Sequence, residues 1–293
     1  MHNILLVLDD WETAEASTRY AVKLAQCRRG NLRVLVCIRD PLLELHRYVG
    51  FDNFEDMRRQ LQQQAEERTQ ELLQPYGDAV GREAPAVCWS ATPHREILAA
   101  ARDCEADLII KHATYHSPLS EFIRTPDDWQ LLRQAEWPVL MLGADPKPPA
   151  FVLAAVDSLD DRPDHQRLSA RVFDQAYAMA RGFGVPFKVV TVSPDPGLSY
   201  SLAGALPSYV ETTKGLAAQS RQQLEALIQR FGVVCDEVLV LRGMADRQLA
   251  AAISGNGLLV IGGCSNRGLK GRLLGNVAER VLHYVDGNIL VVA

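Results

Sequence analysis

A chain of 293 residues, 47% hydrophobic and 23% charged, has the composition of a soluble globular protein and the length for two domains of ordinary size. Its net charge of −5 gives no electrostatic ground for nucleic acid or an anionic membrane as partner. No apolar run approaches the roughly 18–20 residues of a spanning helix, and the start at Met1-His2-Asn3-Ile4 lacks a basic leader, so the expected location is the cytoplasm.

Asn3 to Asp9 reads NILLVLD, a strand apolar enough to be covered on both faces. Thr13 is a candidate N-cap for a helix over Ala14 to Cys27, which Gly30-Asn31 should break. Leu32 to Ile38 is the second strand. Phe54 to Tyr76 is a long charged helix with Met57, Leu61, Ala65 and Leu72 on its inner side. Strands over Ala86–Ala91, Leu108–Lys111 and Pro138–Leu142 alternate with helices that begin near Pro93 and Asp127. Asp145 to Pro149 is a stiff polar linker, which sets the domains at 1–144 and 151–293. The second half then repeats the first. Phe151–Asp157 matches Asn3–Asp9, Gly215–Phe231 matches the charged helix, and Val238–Arg242, Leu258–Ile261 and Asn288–Val292 supply the remaining strands. Each half therefore reads as a doubly wound α/β domain with a mostly parallel sheet. Six cysteines lie far apart with no metal-ligand spacing, and read as small buried side chains in a reducing compartment. Asp9 ends its strand in the manner of a cap for the following helix.

The stretch from Leu258 to Val277, LLVIGGCSNRGLKGRLLGNV, carries the strongest chemical signal. A strand, a glycine-rich loop and a helix start in that order present backbone N–H groups to an anion. A Walker A loop is excluded, because Leu269 stands where the lysine belongs and Lys270 comes one residue late. A dinucleotide fingerprint is excluded because the first βα turn has no GxGxxG. No GxSxG elbow and no acid–base constellation points to catalysis, and no third ligand completes a metal site beside His112 and His116.

A strand, G-x-x-G, a spacer, then G-[S/T] before a helix resembles the nucleotide loop of the universal stress protein family. Gly268-Leu269-Lys270, Leu273-Leu274-Gly275 and Ala278-Glu279-Arg280-Val281 carry that likeness. Thr125 to Arg133, TPDDWQLLR, resembles a segment of a tandem subgroup of the same family. The resemblance covers both halves. It implies an adenine-nucleotide α-hydrolase-like fold, two pseudo-twofold-related domains forming an internal pseudo-dimer, and further homodimerisation as an option. It also implies a non-catalytic stress-response role, through a protein partner or small ligand, with an ATP-binding switch or slow ATPase in the second domain as the alternative. By the family pattern, ATP would meet Asp157 at its adenine or ribose end and Gly262 under its phosphates, within a set that adds Ile261, Ser265, Gly268, Gly275, Asn276 and Val277. Two positions depart from the pattern, Ser265 at the second glycine and Asn276 at the final Ser/Thr. A non-glycine residue forced to φ > 0 costs about 1–2 kcal/mol, so the loop should be weakened rather than abolished. In the first half, aligned on the fifth strands, Lys111, His112 and Thr125 replace Gly262, Gly263 and Gly275, and Pro126 replaces Asn276. Nucleotide binding in that mode should be lost there.

Overall fold

The apolar runs that end in aspartate become the central strand of each unit. The computed structural model describes residues 3–38, 54–79, 84–113, 126–193, 215–263, 267–268, 271–272, 274–285 and 287–293. Two compact units part between Pro148 and Pro149.

In the first unit, β1 (Asn3–Leu8), β2 (Asn31–Ile38), β3 (Ala86–Trp89), β4 (Leu108–His112) and β5 (Val139–Leu142) form parallel pairs in the order β3-β2-β1-β4-β5. Helices α1 (Ala14–Arg28), α2 (Phe54–Leu73), α3 (Pro93–Asp103) and α4 (Pro126–Gln134) connect or flank them. Crossover helices put apolar side chains on both faces, and Ile109 and Ile110 are fully buried on opposite sides of β4. Burying such a side chain contributes about 1.5–3 kcal/mol, which is why these runs do not alternate with polar residues.

The second unit repeats this order with β6 (Phe151–Ala155), β7 (Phe187–Ser193), β8 (Glu237–Arg242), β9 (Gly257–Gly262) and β12 (Ile289–Val292) as β8-β7-β6-β9-β12, all parallel. Its helices are α5 (Pro163–Phe183), α6 (Leu216–Arg230), α7 (Ala245–Ala252) and α8 (Asn276–Tyr284). Within the glycine-rich stretch, β10 (Arg267–Gly268) pairs antiparallel with β11 (Gly271–Arg272). In each unit the chain reverses its winding at the centre, between β1 and β4 and between β6 and β9. At such a switch point the strand ends open a crevice.

The structure revises two local expectations. Met57 and Leu61 are each 36% exposed, whereas Ala65 is buried as expected and is joined by Thr69 in the second half of α2, next to Arg68 stacked over Trp11. α1 is ended by Arg29 in the left-handed region (φ 51°), one residue before Gly30, whereas α5 ends on Gly184 (φ 68°). Two N–H groups still close the last turn of α1, so its hydrogen bonds outweigh the Cβ penalty at Arg29.

Candidate functional site

Crevice residues of the second unit meet around one cavity of about 560 Å³. A volume of that order suits a small molecule. Its floor is the carboxyl ends of β6, β7 and β9, its side is α5 through Leu168, Ser169 and Val172, and its far wall is the start of α7 and α8. Most of the wall is apolar. Its polar lining includes Asp157 and His165, which follow β6, and Asn276 and Arg280 on α8. Asp157 Oδ1 accepts the Leu159 N–H at 3.1 Å, so this exposed carboxylate shapes the turn after β6. His165 Nδ1 lies 3.0 Å from Asp160 Oδ2, and the Arg162 guanidinium bonded to Asp160 holds that carboxyl below its ordinary range. The Asp246 carboxylate is buried and lies 3.6 Å from the Arg280 guanidinium.

The two glycines of β9 and its end are required by contact. A Cβ on Gly262 would come within 2.5 Å of Leu168 Cδ2, and one on Gly263 within 2.9 Å of Val291 Cγ1. Gly275 differs, since a Cβ there would meet just the Gly263 carbonyl oxygen at 3.5 Å. Its backbone is extended (φ −66°, ψ 144°), and its N–H donates to Gly263 O at 2.8 Å, which pins the start of α8 against the end of β9. The first helical bond runs from Glu279 N–H to Gly275 O. The N–H groups of Asn276, Val277 and Ala278 precede it and have no carbonyl one turn back within the helix. All three residues line the cavity, so the partial positive end of α8 is directed at it.

Six of the residues anticipated from sequence thus line this cavity: Asp157, Ile261, Gly262, Gly275, Asn276 and Val277. Gly268 belongs to the β10–β11 ladder and is not in the described lining. Ser265 lies outside the described residues, as does His116.

The first unit fills the same place with charge. Lys111, 2% exposed at the end of β4, lies 2.7 Å from Asp9 Oδ2 and 2.8 Å from the fully buried Asp128 Oδ1, and donates to the His112 carbonyl at 3.0 Å. Burial opposes the ammonium charge, but the Asp128 and Asp9 carboxylates outweigh it and hold the Lys111 pKa above its ordinary value. Asp9 reaches across to β4 as an ion-pair partner, while the N-cap position of α1 is held by Thr13, which makes no side-chain cap bond. Strand register also moves the expected equivalence by one residue. Lys111 pairs with Met141 as Ile261 pairs with Val291, and His112 with Leu142 as Gly262 with Val292. Lys111 thus stands for Ile261, His112 for Gly262 and Ala113 for Gly263. The N–H bonds from Ala113 to Leu142 O and from Gly263 to Val292 O repeat each other at 2.9 and 2.7 Å. Pro126 opens α4 where Asn276 opens α8, and Asp128 stands at the position of Ala278. Burial and the neighbouring Lys111 charge lower the His112 pKa, favouring the neutral ring. The ion cluster was missed in the sequence. Its signal was a lysine closing the apolar run Leu108–Ile110, where a strand buried on both faces has no solvent for a cation.

Two parallel α/β units, each with a switch-point crevice and one with a glycine-pinned helix start, define a tandem doubly wound α/β protein. The chain belongs to the universal stress protein family, whose profile matches residues 1–143 and 152–293. It is similar along nearly its whole length to Universal stress protein E of Escherichia coli K12, 27% identical over 296 residues that cover 99% of this chain and 93% of that protein. The Universal stress protein E homolog of Haemophilus influenzae is 25% identical over 298 residues, covering 98% and 96%. A solved structure of a Pseudomonas aeruginosa UCBPP-PA14 protein assigned to the family superposes with a TM-score of 0.72 at 25% identity, covering 100% of this chain and 93% of the other. A universal stress protein from Archaeoglobus fulgidus shares the fold, with a TM-score of 0.66 at 16% identity, covering 99% and 97%. Among the described residues, no helix is long and apolar enough to cross a membrane.

Proposed function

We propose that this universal stress protein is a cytoplasmic, non-catalytic stress-response protein that works by holding one small ligand in the second unit and passing its occupancy to a protein partner. The observation that carries this reading is the asymmetry between the units. One switch point opens into a cavity walled by Leu168, Val172, Ile261 and Val281, and the other carries the ion cluster of Lys111, Asp9 and Asp128. An apolar pocket with a few convergent polar groups suits recognition of a flat or branched apolar body bearing one anionic group, which the start of α8 and Arg280 would receive. Among the described lining residues no general base is paired with a nucleophile, which favours a binding role over catalysis. An ATP-binding switch or slow ATPase is the second reading, favoured by the three N–H groups at the α8 start and by Gly262 leaving the crevice floor low.

Calorimetric titration of ATP and of ADP with Mg²⁺ into the full chain separates the two. Gly275 tolerates a side chain on the backbone side, so Gly275→Arg should keep the fold while its long side chain enters the cavity. Saturation at one site per chain, lost in Gly275→Arg, supports the nucleotide switch. No heat up to about 1 mM ATP, an affinity weaker than about −4 kcal/mol, retires it and leaves the first reading. Phosphate release at a steady rate that survives exhaustive purification would overturn the non-catalytic assignment.

A further inference from the structure

Two cysteines that lie 51 positions apart in sequence meet in the first unit. Cys37 and Cys88 are register partners on the adjacent parallel strands β2 and β3, with their Sγ atoms 3.2 Å apart. Register partners in a sheet point to the same face, and neighbouring strands lie about 4.8 Å apart, inside the span over which a disulfide forms without moving backbone. Cys37 is buried and Cys88 half-buried, so one sulfur is open to a small reagent and the other is held behind it. The same face carries the Lys111–Asp9 pair, whose charges act on Cys37. In the second unit the positions of Cys37 and Cys88 are held by Val192 and Leu241, which are register partners of each other, and Val192 lines the cavity. The dithiol thus stands where the second unit has apolar side chains beside its cavity.

We propose that Cys37 and Cys88 form a reversible, hydroperoxide-oxidised dithiol, a modification site in the first unit that is independent of any ligand in the second. The Cys88 thiolate sulfur attacks a peroxide oxygen, the O–O bond breaks, Cys88 becomes a sulfenic acid, and the departing hydroxide takes up the proton that the Cys88 thiol had lost and leaves as one water. Cys37 then loses its proton and its sulfur displaces hydroxide, which departs as the second water. The two thiols lose two electrons to form one S–S bond, and hydrogen peroxide gains them. Cys88 is the attacking group because it is the more open of the two, and a hydrogen bond with the Cys37 thiol lowers its pKa against the effect of burial. Cys37 is the resolving group, its own thiol raised by the same bond and by burial. In a reducing compartment such disulfides are transient and sensing, not structural.

The test treats the full-length protein with hydrogen peroxide, quenches with acid, alkylates and maps peptides without reduction. The chain has six cysteines, so joining two should lower the free-thiol count from six to four. A peptide pair linked through Cys37 and Cys88 should dominate and disappear with dithiothreitol. Cys37→Val and Cys88→Leu, which copy the second unit, should each abolish that pair, and Cys37→Val should leave Cys88 to advance to sulfinic acid. Six free thiols after a dose that oxidises an equimolar free dithiol would overturn the proposal, as would a disulfide mapped elsewhere or sulfinic acid on Cys88 in the parent protein. Because the parent protein alone decides the outcome, a variant that fails to fold does not.

Discussion

Replacing Lys111 with isoleucine, its counterpart in the second unit, should be one of the most destabilising single changes in the first unit. The lysine is 2% exposed and Asp128 fully buried, so Lys111→Ile leaves the Asp128 carboxylate without its 2.8 Å cation in a site that water does not reach. Breaking a buried pair from one side costs about 3–5 kcal/mol, a large part of the 5–15 kcal/mol that holds a typical domain together. Asp9 is 19% exposed and can recover hydration, so most of the penalty belongs to Asp128. Lys111→Ile with Asp128→Ala, the Ile261/Ala278 pairing of the second unit, removes the stranded charge. It should return to within about 2 kcal/mol of the parent, since apolar replacements of buried ion pairs are often near neutral.

All four tryptophans, Trp11, Trp89, Trp129 and Trp137, lie in the first half of the sequence, so indole fluorescence in urea reports on that unit alone. With a slope of about 2 kcal/mol/M, the single variant should lower the midpoint by about 2 M and the double by less than about 1 M. The pH dependence has a definite sign. The folded Lys111 pKa lies above its ordinary 10.5, so its contribution is complete below that pH and fades only as pH rises through the folded value. The gap between parent and Lys111→Ile should be flat over about pH 6–9 and should narrow at more alkaline pH. A single variant within 1 kcal/mol of the parent, or effects of the two substitutions that add within about 0.5 kcal/mol, would refute the argument that the cluster is one coupled unit.

Three further outcomes follow from named contacts. Gly262→Ala drives a methyl into Leu168 and should cost about 1–3 kcal/mol in far-UV-monitored unfolding, a loss that Leu168→Ala added to it should shrink if the contact is the cause. His112 has a lowered pKa in the fold, so it contributes stability above its ordinary 6.5 that is lost as pH falls toward the folded value. His112→Asn should therefore flatten the decline in thermal midpoint between about pH 6.5 and 5, and an unchanged decline would assign it to other groups. Arg29→Gly should raise stability by up to about 1 kcal/mol by relieving the left-handed residue at the end of α1, and a loss would mean that the Arg29 side chain contributes more than its strain costs.

Strand positions were legible because a strand covered on both faces must be apolar throughout, so NILLVLD, FVLAAVD and LLVIG announced themselves. The duplication was legible for the same reason. Side-chain pairing across strands was not, because it depends on register, and a slip of one residue sends a side chain to the other face. That slip set Lys111 against Gly262 when its true counterpart is Ile261, and it hid the partnership with Asp9. Cys37 and Cys88 looked like isolated small residues for the same cause, since their meeting exists only once β2 and β3 align. The inner face of α2 was misread through Met57 and Leu61 because its apolar spacing continues beyond the part of the helix that packs.

The ion cluster and the cavity also bear on how many ligands one chain can take. On the proposed one-ligand reading the expected stoichiometry is one, and three features of the first unit each favour it. Lys111, Asp9 and Asp128 sit at the crevice of the first unit and together carry one net negative charge, which opposes an anion. His112 stands where Gly262 keeps the floor of the second crevice low. Pro126 opens α4 without the N–H that Asn276 offers at the start of α8. Lys111→Ile with Asp128→Ala removes the first obstacle and leaves the other two. Titration of that double variant with whatever ligand the parent binds should still saturate at one per chain. A second equivalent would mean that the charge cluster alone had closed the first crevice, and that the proline and histidine are passengers in a site the fold could still form.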